Sequence, residues 1–263
     1  MKLIKTHAFG NDFLLVEERE LPKGSDLAAL ARAVCDRHRG LGADGLLVFE
    51  RHDGRASMRL LNADGSHSEI SGNGLRCLAA WLAANGGGDR LEIQTDAGVK
   101  RLELLERQGT RYTFRAAMGM PEKIRRETIP VQDQMVDAIT LRVGNPQCVV
   151  LGEVTEHRLH TLASRLAVHP HFPEGTNVEL ATVDSPTRVR ILIWERGVGP
   201  TEASGTGACA AAVAAMSFGG AARDVLVESP GGTQRVEWRE DGLYLTGWAY
   251  VIAEARWLPD VPS

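Results

Sequence analysis

Apolar positions recur along this chain with two different periods. Residues 2–7 and 12–18 alternate or run apolar, as strands do. Leu27, Leu30, Ala31 and Val34 then fall at helical spacing, which predicts a helix over about 26–37 with Ser25 as its cap. Short strands separated by Gly and Asp turns are expected at 45–50, 56–62, 91–95 and 99–105. The second half offers strands near 139–144, 147–152, 177–183 and 188–194, and further ones at 224–229, 233–238, 242–246 and 249–256. Two segments stand apart. Residues 74–84 (GLRCLAAWLAA) and 206–216 (TGACAAAVAAM) are apolar on nearly every face, the mark of a helix buried all round. Gly86-Gly87-Gly88 and Gly219-Gly220 end them. Many short strands with one buried helix per half predict sheets wrapped around a central helix.

The halves resemble each other. Gly10-Asn11-Asp12 returns as Gly144-Asn145-Pro146, 134 residues later, and Ser71-Gly72-Asn73-Gly74 as Ser204-Gly205-Thr206-Gly207, 133 later. Gly42-Ala43-Asp44 lies 133 residues before Gly175-Thr176-Asn177, and the helical pattern from Leu27 returns from Leu159, shifted by 132. Any one match is ordinary turn chemistry; four in one order at nearly one offset indicate a duplication. The expected domains are 1–120 and 121–263, with the final strands able to pack back on the first half. A pseudo-twofold arrangement of this kind places a site in the cleft between halves.

Composition narrows the class. The chain has 263 residues, 43% hydrophobic and 24% charged, enough for one large domain or two ordinary ones and unlike a disordered or fibrous chain. A net charge of -4 argues against a dedicated nucleic-acid binder. The four cysteines, Cys35, Cys77, Cys148 and Cys209, form no C-x-x-C pair, so neither a disulfide framework nor a zinc site is indicated. The first ten residues lack an apolar signal core and no run approaches 18 apolar residues. The expectation is a cytoplasmic protein with a small-molecule ligand, no membrane partner and no metal. His169-Pro170-His171 is the one close pair with ligand-like spacing, a spacing that surface loops also carry.

Each buried helix begins at a Ser-Gly-x-Gly turn, where glycine lets backbone approach a ligand and the helix dipole favours an anion. Two such starts facing one cleft would grip one carboxylate from both sides, with Ser71 and Ser204 beside it. Plain N-capping by both serines explains the same pattern, and the residues alone do not choose. No G-x-x-x-x-G-K-[ST] is present, and Gly40–Gly45 precedes a strand rather than a helix, the wrong context for a dinucleotide turn. The five lysines (2, 5, 23, 100 and 123) lie outside the Gly-rich motifs, so no Schiff-base cofactor is expected.

The segments KTHAFGNDFLLVE (5–17), RHRGLGADGLL (37–47), LNADGSHSEISGNGLRC (61–77), VGNPQCVV (143–150), FPEGTNVE (172–179) and WERGVGPTEASGTGACAAAVAA (194–215) together resemble the diaminopimelate epimerases, of the cofactor-independent amino-acid racemase and epimerase superfamily. The resemblance spans nearly the whole chain. It implies an α+β fold of two pseudo-symmetric halves, each an antiparallel β-barrel around a central buried helix. It implies interconversion of LL- and meso-2,6-diaminopimelate for lysine biosynthesis, without pyridoxal phosphate, by an enzyme that is often a homodimer. Substrate contacts fall on Asn11, Asn62, Asn145, Asn177, Glu195 and Arg196, and the backbone anion cradles on Gly72-Asn73 and Gly205-Thr206. Arg196 would hold the distal carboxylate.

The family moves the Cα proton with two cysteines, one per half. Here those positions are Ser71 and Ser204; the histidine after Gly-Asn-Pro is Gln147, and a glutamate position is Pro200. A serine hydroxyl is a far weaker acid than a thiol and needs a helper, for which Glu195 is the obvious residue. Three descriptions of such a member stand open: an epimerase using serines, an isomerase or dehydratase for another amino acid, and a non-catalytic amino-acid-binding descendant; an engineered trap is a fourth, against which Gln147 and Pro200 argue, since a trap needs neither change.

Overall fold

A computed structural model describes residues 1–52, 55–68 and 70–258. The chain divides into two compact units, Met1–Ala116 with Trp248–Ser263, and Ala117–Gly247.

The first unit contains β1 (Lys2–Ala8), β2 (Asn11–Glu17), β3 (Gly45–His52), β4 (Arg55–Asn62), β5 (His67–Ser68), β6 (Arg90–Thr95), β7 (Gly98–Gln108) and β8 (Arg111–Gly119). The ladder runs β1, β2, β3, β4, β6, β7, β8, and the last strand of the chain, Gly242–Arg256, pairs with both β8 and β1 to close it. All pairs are antiparallel except β2–β3 and β4–β6. Helix α1 (Leu27–Cys35) covers β3 and β4, while α2 (Gly72–Ala84) packs against β1, β2 and β7 and is buried along most of its length. The cap of α1 is Asp26, whose carboxylate accepts the Ala29 N–H at 3.0 Å; Ser25 instead donates to the Pro22 carbonyl at 2.7 Å. Both residues suit a cap, and the one nearer the first turn takes the role.

The second unit repeats this connectivity. Its strands are β9 (Glu122–Val131), β10 (Gln134–Val143), β11 (Asn145–Leu151), β12 (Asn177–Ser185), β13 (Arg188–Glu195), β14 (Gly199–Thr201), β15 (Asp224–Ser229), β16 (Gly232–Arg239) and β17 (Gly242–Arg256). The ladder runs β9, β10, β11, β12, β13, β15, β16, β17, with β11–β12 and β13–β15 as its parallel pairs. The counterpart of α1 is a short run, α3 (Glu156–Arg158), a π turn (Leu159–Ala163) and α4 (Ser164–Ala167). Helix α5 (Gly205–Phe218) matches α2: Ala208 through Ala215 are fully buried against Ile139, Val149, Ile191, Val225 and Val236. Alanine is the best helix former and lets strands approach closely. Each half is thus a mostly antiparallel barrel built around a buried helix. No described helix is long and apolar enough to cross a membrane.

The parallel pairs fix how the halves correspond. In the first unit Phe13 pairs with Gly45 and Leu15 with Leu47. In the second, Gln147 pairs with Asn177 and Val149 with Glu179. With Asn11 matched to Asn145, at the head of β2 and of β11, Phe13 corresponds to Gln147 and Leu47 to Glu179.

The β1–β2 turn is Phe9-Gly10, with φ +55° and +84°. Glycine adopts this freely; a bulky residue does so only when its surroundings hold it there. Phe9 is fully buried, 4.2 Å from the Trp248 ring and 5.5 Å from the Arg76 guanidinium, measured between centres. Just beyond it, Asp12 receives Lys5 and both arms of Arg37, and Arg37 also reaches Asp44 at 2.7 Å. Burial pushes the Asp12 carboxyl up, but the hydrogen bonds and charges of Arg37 and Lys5 outweigh it and hold it at about 2.

Two stability outcomes follow. Ala212→Leu inserts volume where α5 is fully enclosed and should cost roughly 1–3 kcal/mol by denaturant titration; a neutral result would mean the barrel has room around α5. Because the Asp12 value lies below the ordinary 3.8, its contribution is complete above that pH and is lost as pH falls towards about 2. Asp12→Asn should therefore melt lower than the unsubstituted protein at neutral pH, with the gap closing in acid, as followed by calorimetry.

Candidate active site

The two Ser-Gly-x-Gly starts have one geometry. Ser71 has φ −128° and ψ 124°, and its Oγ accepts the Gly74 N–H at 3.1 Å. Ser204 has φ −132° and ψ 131°, and its Oγ accepts the Gly207 N–H at 3.2 Å. Both serines are therefore N-caps. Capping does not exhaust a hydroxyl, which keeps its own proton and a second lone pair. The bond satisfies the third amide of each helix, so the dipole end is carried by the first turn, at Gly72-Asn73 in α2 and Gly205-Thr206 in α5.

In the first unit a chain of side chains runs from this start. The Arg76 guanidinium binds Asn73 Oδ1, Asn73 Nδ2 donates to Asn11 Oδ1 at 3.3 Å, and Asn11 Nδ2 donates to Asp44 Oδ2 at 2.7 Å. Asp44 is itself held by Arg37. The structure thus joins Asn11 and Asn73 in one hydrogen-bonded chain beside the start of α2. Asn62, at the end of β4, bonds Ser66 Oγ at 2.9 Å instead.

In the second unit, Gln147 Nε2 donates to Asn145 Oδ1, so the residue in the histidine position orients a candidate substrate contact. Asn177 Oδ1 accepts the Arg196 backbone N–H at 2.9 Å. Arg196 Nη1 donates to the Glu174 carbonyl at 2.8 Å, which leaves the exposed guanidinium further donors. Glu195 is half-buried at the end of β13. Ser204 also approaches the Thr206 hydroxyl at 3.4 Å, and its carbonyl accepts from Gln234.

Cys77 and Cys209 are wholly buried inside α2 and α5. Burial pushes the Cys77 thiol up to about 12, outweighing the opposing hydrogen bond of Thr6. His169 and His171 are engaged elsewhere, with the Pro130 carbonyl and with Glu127, each at 2.8 Å.

Sequence reasoning missed four participants. Asp44, inside the Gly40–Gly45 segment that lacks the context of a dinucleotide turn, supports Asn11 and is itself held by Arg37. Arg76 lies fully buried in α2, disguised by an apolar neighbourhood. Glu179 is fully buried in β12, and its signal was a charge at a position where the strand pattern requires an apolar residue.

Comparison with known proteins places this geometry. The sequence pattern of the family described as diaminopimelate epimerase matches residues 3–124 and 139–252. The diaminopimelate epimerase of Desulforudis audaxviator is 40% identical over 277 residues, covering 98% of this chain and 99% of the relative. That of Acidiphilium cryptum is 41% identical over 254 residues, covering 91% and 89%. Among solved structures, a hydroxyproline epimerase from Agrobacterium vitis has a TM-score of 0.68 at 15% identity, covering 97% of this chain and 90% of that one. A PhzF-family phenazine biosynthesis protein from Bacillus anthracis has a TM-score of 0.72 at 14% identity, covering 98% and 99%. The solved structures share the fold, the sequence relatives match over nearly the whole chain, and on that evidence the chain belongs to the diaminopimelate epimerase family of isomerases.

Proposed function

We propose that this protein interconverts LL- and meso-2,6-diaminopimelate by moving one Cα proton between two bases, with Ser71 and Ser204 in those roles. The observation that carries the reading is the paired helix start: two buried helices open on a serine with the same cap geometry. A substrate carboxylate gains from such a terminus, and so does the enolate-like charge that appears when the proton leaves. A hydroxyl that already accepts an N–H bond is better able to carry negative charge than one in water. Glu195 serves as orienter or relay for Ser204.

The remaining contacts give selectivity. Arg196 takes the distal carboxylate, and Asn11, Asn62, Asn145 and Asn177 orient the distal amino group and the backbone of the ligand, beside the Gly72-Asn73 and Gly205-Thr206 cradles. The same reading takes the enzyme to be cytoplasmic, independent of pyridoxal phosphate, and a homodimer.

The second reading, an amino-acid-binding protein on the same scaffold, is favoured by one observation: the position of the family's histidine holds Gln147, which has no basic nitrogen, beside a weakly acidic serine. Exchange in heavy water separates the two. Incubation with LL-diaminopimelate should place deuterium at Cα together with the meso isomer, read by mass spectrometry after separation. Tight binding by calorimetry without exchange would establish the binding protein instead.

Two substitutions extend the test. Ser71→Cys combined with Ser204→Cys should raise exchange by about 10²-fold or more, the scale on which a positioned general base acts; no gain would show that the site has been re-purposed. Arg196→Ala should raise the KM for diaminopimelate by about 10–100-fold, the loss of one or two charged hydrogen bonds, and leave binding of alanine unchanged. Equal losses for both ligands would remove Arg196 from the distal grip.

A further inference from the structure

Asn11 sits in a chain of bonds whose two ends leave its amide no choice of direction. A carboxamide presents an oxygen and a nitrogen of nearly the same size, so packing alone does not decide which way it points. Its hydrogen-bond partners do. A guanidinium only donates and a carboxylate only accepts. Arg76, at the buried end, requires Asn73 to present its oxygen, and Asn73 Nδ2 then turns towards Asn11. Asp44, at the other end, requires Asn11 to present its nitrogen, and Asn11 Oδ1 then turns towards Asn73. The two demands agree. With two amides between one donor and one acceptor, this is the single arrangement in which every bond of the chain forms.

The ends are themselves fixed. Arg76 is fully buried on α2 and lies against the Phe9 ring. Asp44 Oδ1 takes Arg37 at 2.7 Å, and its Oδ2 also takes the Asp12 backbone N–H at 3.0 Å. The chain therefore runs from the core, through a buried Asn73 and a half-buried Asn11, to an exposed Asp44.

The second unit treats its asparagine differently. Asn145 Oδ1 also accepts from a side-chain amide, that of Gln147. The positions matching Asn73 and Arg76, 133 residues on, are Thr206 and Cys209, neither of them charged. Gln147 Oε1 has no hydrogen-bond partner among the described residues. Turning the Asn145 and Gln147 amides over together would keep a bond between them.

We propose that Arg76 and Asp44 are positioning residues that lock Asn11 with its oxygen towards the start of α2, so that the first unit reads its ligand in one sense only. Locked in this way, Asn11 keeps one lone pair on Oδ1 and one hydrogen on Nδ2. Its α2 side accepts, as the ammonium group of an amino acid requires, and its Asp44 side donates. Both positioning residues act through Asn11. The proposal rests on the epimerase reading for its ligand and deepens it by naming what orients one of the ligand's contacts.

Binding of LL-diaminopimelate by calorimetry gives the first test. In Asp44→Asn and in Arg76→Gln the new amide can donate or accept, so one demand is lost. Each should weaken binding by about tenfold, the scale of one charge-assisted hydrogen bond. Arg76→Lys still only donates and should recover most of that loss. With Asn11→Ala in place, none of the three should weaken binding further, because all act through Asn11. A further loss of the same size in that background would make Arg76 and Asp44 ordinary structural contacts and overturn the proposal. Asp44 is on the surface, so Asp44→Asn carries this cycle if Arg76→Gln fails to fold.

The second test needs no ligand. In NMR spectra the side-chain amide of Asn11 should give one pair of widely split hydrogen signals, one hydrogen being bound to Asp44. Arg76→Gln, which does not touch Asn11, should narrow that splitting or add a second pair, and Arg76→Lys should leave it. An unchanged pair in a folded Arg76→Gln protein would overturn the lock. If the unsubstituted protein does not bind diaminopimelate, the epimerase reading fails, while the Asn11 signals still decide whether Arg76 orients that side chain.

Discussion

A helix enclosed on every side must still end its row of amides somewhere. In both units that end is closed by one bond, from a backbone N–H in the first turn to the serine hydroxyl before it. Around this bond the other parts are arranged. The helix is buried because its residues are small or apolar, the barrel wraps it because its strands present an apolar inner face, and the dipole emerges only where the serine stands.

The units share a connectivity, down to the placement of the parallel pairs. They differ beneath the helix starts rather than in the geometry of those starts. The first unit invests in side-chain bonding around Asn11, braced by Arg37, Asp44 and the strained Phe9 turn. The second places Asn145 and Asn177 with single bonds, and buries a carboxyl and an amide among its strands. One scaffold thereby carries two helix starts in chemically different surroundings.

Much of the architecture was legible because periodicity survives in buried elements. Helices α2 and α5 and the strands flanking them lie within a few residues of where the pattern puts them. The misses have physical causes. Residues 242–256 form one strand and not two, because Gly247 breaks the apolar pattern without breaking the ladder. Strands 111–119 and 122–131 escaped notice because Arg and Glu crowd their outward faces, leaving in the second only Ile129 and Val131 buried. At the site, the motif asparagines were visible since their neighbours are distinctive. Glu179 and Arg76 were not, because a polar residue inside an apolar run reads as noise until burial is known.

The order of the chain has a consequence for how the protein is made. Residues 1–116 are synthesised first, yet the ladder they form is sealed only by Gly242–Arg256, which pairs with β1 on one side and β8 on the other. The intervening unit is contiguous and can be complete earlier. The first barrel to leave the ribosome is therefore the last to shut. Until it does, two sheet edges stand open to pairing with other nascent chains. Translation that stalls before residue 242 yields a sticky intermediate rather than a smaller stable protein.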